Sequence, residues 1–106
     1  MKPIFRLVSL VVLAWSVTAS AANLVNGQNL YNLHCASCHG ITGIPVMPPM
    51  PNMPPTPNLQ MREGMNQPDV VLIQTLKMGK TTMPPFLGRL NDQQLLDIIQ
   101  YIRNMR

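Results

Sequence analysis

The sequence predicts an all-α fold, and three observations support it. From Leu90 to Arg106, the residues Leu95, Ile98, Ile99, Ile102 and Met105 recur at helical spacing on one face. Two shorter stretches, about Asn23 to His34 and about Pro68 to Met78, combine apolar residues at the same period with helix-start residues. No run alternates apolar and polar residues as a half-buried strand would. Three or so helices are therefore expected, joined by a long Pro- and Met-rich loop.

The chain has 106 residues, enough for one small domain. Residues 1–21 are expected to be a secretory signal peptide rather than part of it. Lys2 and Arg6 form a positive start, Leu7 to Val17 an apolar run, and Ala19-Ser20-Ala21 a small-residue cleavage site. The alternative is a retained anchor, although the run is about half of the ~20 residues that span a bilayer. The domain is thus 22–106 and its expected location is the periplasm. Removing Lys2 and Arg6 leaves six basic residues against four acidic, so the net charge falls from +4 to near +2. With no basic run or aromatic ladder, nucleic acid is not an expected partner.

Chemistry concentrates in Cys35-Ala36-Ser37-Cys38-His39-Gly40. Two thiols three positions apart on one helical turn face the same way, so both reach the two vinyl groups of one porphyrin and form thioethers. His39 then lies under the ring as an axial iron ligand. A thioredoxin-like redox pair would need a βαβ context. A zinc site would need about two further ligands; the chain has no third cysteine, and its other histidine, His34, adjoins the motif. With about 85 mature residues and both cysteines engaged, the haem is expected to serve as the missing core.

In chain order, the first helix is capped by Asn23 and carries Leu24, Leu30 and Tyr31, with Gly27 suited to a close helix crossing. His34 is expected to be a partly exposed structural residue. From Gly40 to about Gln60, seven prolines make a polyproline-like loop bearing Met47, Met50 and Met53. Those thioethers suit either an apolar wall against the porphyrin edge or a copper(I) site. In the second helix Pro68 suits a first position, Val70, Ile73 and Leu76 form the stripe, and Gly79 ends it.

A second axial ligand is expected in the loop Gly79-Lys80-Thr81-Thr82-Met83-Pro84-Pro85-Phe86. Met83 is the choice, 44 residues after His39, because Pro84 and Pro85 restrict the backbone that presents it. Met61 and Met65 are weaker candidates, Met78 is helical and Met105 terminal. The last helix begins with an Asn91/Gln94 capping pair and turns Asp97, Gln100 and Asn104 to water. Its apolar face requires a partner, and the first helix is the natural one.

In order and spacing, Gly27, Tyr31, the Cys35-to-Gly40 motif, Met83-Pro84-Pro85-Phe86, Leu90 and Tyr101 resemble class I mono-haem c-type cytochromes of the short bacterial kind. The resemblance covers essentially the whole mature chain. It implies thioethers at Cys35 and Cys38, axial ligation by His39 and Met83, and packing of the terminal helices through Gly27, Tyr31 and Tyr101. It also implies a proline carbonyl that accepts the axial histidine's other N–H, for which Pro45, Pro48 and Pro49 compete. The function implied is one-electron transport between redox partner proteins, not enzymatic conversion. A haem subunit of a periplasmic oxidoreductase complex is the main alternative; an open-ligand gas-binding haem and copper handling follow. Lys77, Lys80 and Arg89 bracket the Met83 loop and suit an acidic partner.

Overall fold

The computed structural model describes residues 22–46 and 51–105. The expected signal peptide, Met47, Met50, Pro48 and Pro49 lie outside the described residues. Three helices form where the periodicity places them: α1 (Leu24–His34), α4 (Asp69–Met78) and α5 (Asp92–Arg103), with single turns α2 (Ala36–His39) and α3 (Arg62–Met65) between them. Among the described residues there is no strand beyond an isolated bridge between Lys80 and Met83.

The helix ends follow from local chemistry. The Asn23 side chain accepts the Asn26 N–H at 3.0 Å to cap α1. At α5, Asn91 accepts the Gln94 N–H at 2.8 Å while the Gln94 side chain accepts the Asn91 N–H at 2.9 Å, a complete capping box. Pro68 sits one residue earlier than expected, as the N-cap of α4 with ψ 153°. The α4 stripe also differs: Leu72 is buried with Ile73 and Leu76 half-buried beside it, whereas Val70 is 72 % exposed. A ten-residue helix has several apolar residues to choose from, and the packing of α5 selects among them.

The terminal helices cross at Gly27. A Cβ there would overlap the Asp97 carbonyl and lie 3.0 Å from Tyr101 Cβ, so only glycine permits this approach. Tyr31 and Tyr101 meet beside the crossing with centroids 5.5 Å apart and planes at 55°. Tyr31, Leu95, Ile98 and Ile99 are fully buried, and Cys35, Phe86, Leu90 and Ile102 extend the core. Burying each large aliphatic chain is worth about 1.5–3 kcal/mol.

One expectation is overturned here. Asp97 does not face water; it is 3 % exposed in the α1–α5 contact. It accepts the Asn23 N–H at 2.9 Å, Asn26 Nδ2 at 3.0 Å and Gln93 Nε2 at 2.9 Å. Burial alone would raise its pKa, but these three donors outweigh burial and hold the carboxyl below its ordinary range.

Candidate haem site

Cys35 closes α1 and opens α2. Its N–H donates to the Tyr31 carbonyl at 2.8 Å, and its own carbonyl accepts from His39 at 2.9 Å. The motif is therefore one continuous helical corner. Tyr31 secures its far end, donating its hydroxyl to the Gly40 carbonyl at 2.6 Å. Burial first, then the neighbouring Cys35 and Tyr101, pushes the Tyr31 phenol up to about 12, so it remains a neutral donor.

Cys35 is buried and Cys38 exposed, and they form no disulfide. Burial first, and Cys38 second, pushes the Cys35 thiol up to about 11. That is the reverse of the depressed pKa that activates the thiolate of a redox pair. Among the described residues no group of three or more His, Cys, Asp or Glu side chains is placed to hold a metal.

The His39 ring is oriented by a residue that sequence reasoning missed in this role. Its Nδ1 lies 3.1 Å from the carbonyl oxygen of Pro57. A carbonyl only accepts, so Nδ1 carries the proton and the Nε2 lone pair is available to a metal. Of the prolines expected to compete, Pro45 is not this partner, and Pro48 and Pro49 lie outside the described residues. The acceptor is Pro57 because the chain around it is tied to the turn after the motif. Leu59 N–H donates to the Gly43 carbonyl at 2.8 Å, and Gln60 Nε2 donates to Thr42 at 2.7 Å. Such cross-loop bonds leave no periodic trace in the sequence.

Met83 is held as firmly. Lys80 and Met83 exchange backbone hydrogen bonds of 3.2 and 2.6 Å. A Cβ on Gly79 would lie 2.6 Å from the Met83 carbonyl oxygen and 2.9 Å from Pro85 N, and at φ 71° this position also demands glycine. Past the prolines, Phe86 N–H donates to Leu76 at 2.9 Å and Leu87 N–H to Lys77 at 3.2 Å. The loop therefore folds back on the end of α4 at both of its own ends.

Cys35, His39, Pro57 and Met83 line one cavity of about 380 Å³, walled by Leu72 and Leu76 of α4 and Ile99 and Ile102 of α5. A mostly apolar space of this order with few convergent polar groups is typical of a cofactor site. An apolar slot edged by a thiol, an oriented imidazole and a thioether has the donor set a covalently held haem needs. Met61 and Met65 also line the cavity, whereas Met78 and Met105 do not. Cys38 is outside the lining, and exposed Met53 likewise. His34 is half-buried, edge-on to Phe86 at 5.8 Å.

The bracketing cations are differently employed. Lys77 pairs with Asp92 at 2.6 Å, and the Arg89 guanidinium lies 5.3 Å from the Phe86 ring centroid. Lys80 is exposed and lines the cavity.

A helical chain wrapped on such a slot, with Cys35 and His39 of its Cys-x-x-Cys-His motif in the wall, is a small c-type cytochrome. Residues 22–102 match the family described as cytochrome c oxidase, cbb3-type, subunit III, and the chain belongs to that family. A 39-residue stretch is 44 % identical to cytochrome c6 of Parathermosynechococcus lividus, covering 37 % of this chain and 44 % of that protein. The chain thus spans less than half the length of the curated relative it matches. The cofactor is covalently bound haem c with its iron, and the Cys35, Cys38, His39 pattern fits it. Membership supports electron transfer rather than catalysis as the class of activity.

Proposed function

We propose that the protein is a periplasmic one-electron carrier whose haem is joined to Cys35 and Cys38 and ligated by His39 and Met83. The convergence of Cys35, His39 and Met83 on one apolar cavity carries this reading. When bound, the haem supplies an iron that alternates between ferric and ferrous states. His39, held by Pro57, presents Nε2 with its ring orientation restricted. Met83 offers a soft neutral thioether, which favours the reduced state, from a backbone held by the Lys80 bridge. Leu72, Leu76, Ile99 and Ile102 give the same space apolar walls.

Residues 1–21 serve as a signal cleaved after Ala21. Among the described residues no helix is long and apolar enough to cross a membrane. The partners are redox proteins, an electron donor and an acceptor.

The deciding experiment is the absorption spectrum of Met83→Ala. Loss of the methionine-ligated low-spin signature, with haem retained, supports the assignment. An unchanged signature would transfer the role to another thioether, Met61 and Met65 being the others at the cavity.

The family match favours a second reading, in which the same site belongs to a haem subunit of a periplasmic oxidoreductase complex. Stable comigration with a catalytic partner in size exclusion of native extract would select it.

A further inference from the structure

Asp97 is a buried carboxylate that the haem site does not use. Oδ1 accepts the Asn23 N–H and Gln93 Nε2, and Oδ2 accepts Asn26 Nδ2. These three donors are neutral. A carboxylate offers about four acceptor positions, so one on Oδ2 remains. The ion pairs among the described residues are Lys77–Asp92 and Arg103–Asp69, and neither involves Asp97. Among the described residues this charge, 3 % exposed, is held by neutral donors, and a cation beside it would stabilise it further.

Ala22 directly precedes the residue whose N–H reaches Oδ1, and its nitrogen lies within about 3.8 Å of that N–H along the chain. In the precursor it is a neutral peptide amide. Hydrolysis of the Ala21–Ala22 bond by a signal-removing protease consumes one water, leaving a carboxylate on Ala21 and an ammonium on Ala22. We propose that this new α-ammonium pairs with Asp97, so that signal removal completes the α1–α5 interface. The inference rests on cleavage after Ala21, proposed above.

The charges at this end agree with it. The positive end of α1 disfavours an ammonium, and the Asp97 carboxylate opposes that field at the same helix end. The groups facing the carboxylate are Asn23 at the N-cap of α1, Asn26 of α1 and Gln93 of α5; none of them ionises. Tyr101 lies one turn further along α5, and Asp92, five residues back, is paired with Lys77. An ammonium in this pair titrates above its ordinary range of about 7.7–8.0. Its contribution is fully present below that range and is lost as pH rises through the raised folded value. On the acid side the pair fails as Asp97 protonates.

The intact mass of haem-loaded mature protein comes first. A chain that does not begin at Ala22 defeats the cleavage and the pairing together. For a chain that does, the rate of α-amine acylation is followed against pH. An apparent pKa raised by about one unit or more over that of an unfolded peptide of residues 22–30 supports the pair; an ordinary value refutes it with cleavage intact. Acetylating Ala22 is then expected to raise the unfolding constant at pH 7 about tenfold in the wild type and not in Asp97→Asn. Equal effects in both proteins would overturn the proposal. Should Asp97→Asn fail to fold, the wild-type amine titration decides alone.

Discussion

Replacing Gly27 by alanine tests how the two terminal helices are held together. In an isolated helix the change would stabilise by about 1 kcal/mol. Here the added Cβ would lie 2.7 Å from the Asp97 carbonyl carbon, where ordinary contact begins at 3.4 Å. The clash is with backbone, so no side chain can rotate away, and the helices must part locally by at least about 0.7 Å. A gap of 0.5–1 Å forfeits about a quarter to a half of each affected dispersion contact. The affected contacts include the Tyr31–Tyr101 ring pair and the hydrogen bonds into Asp97, beside the buried Ile98. Overpacking typically costs 1–3 kcal/mol and sometimes more, and the weakened bonds to a buried carboxylate add to it. With a weakened hydrogen bond worth about 1 kcal/mol, a net loss of about 1–3 kcal/mol is expected after the propensity gain. Urea unfolding of the haem-loaded protein, followed by far-ultraviolet dichroism, measures it. A Gly27→Ala protein as stable as the wild type would refute the reasoning, because the crossing distance would then not be set by this residue.

Three further outcomes follow from the same contacts. Cys35→Ala/Cys38→Ala, unable to hold haem covalently, leaves a cavity of about 380 Å³ unfilled. At ~24 cal/mol per Å³ that is on the order of 9 kcal/mol as an upper bound, so a largely unfolded far-ultraviolet spectrum is expected and a native-like helical one would contradict it. Asn91→Ala removes one half of the α5 capping box and should cost about 1 kcal/mol in denaturant midpoint experiments, with the haem spectrum unchanged. Because the Asp97 pKa is lowered in the folded state, its contribution is present above the unfolded value of ~3.9 and is lost as pH falls through the folded value. Acid unfolding of Asp97→Asn should therefore show a shallower pH dependence than the wild type below about pH 4; identical slopes would remove Asp97 from the account.

What could be read in advance was what depends on neighbours in the chain. The Cys35–Cys38–His39 spacing lies within one helical turn, the caps Asn23 and Asn91 act on residues three positions away, and the α5 stripe is a property of its own period. Met83 was singled out through the prolines that follow it, and it does line the cavity. The tertiary structure alone decided that Pro57, not Pro45, faces His39, because a loop carbonyl's direction depends on cross-loop bonds such as Leu59 to Gly43. It alone buried Asp97, a residue whose polarity argued for water until α1 and its N-cap supplied two of its three donors. Local geometry names the groups a segment can offer; which of them meet is settled only when distant segments compete for the same core.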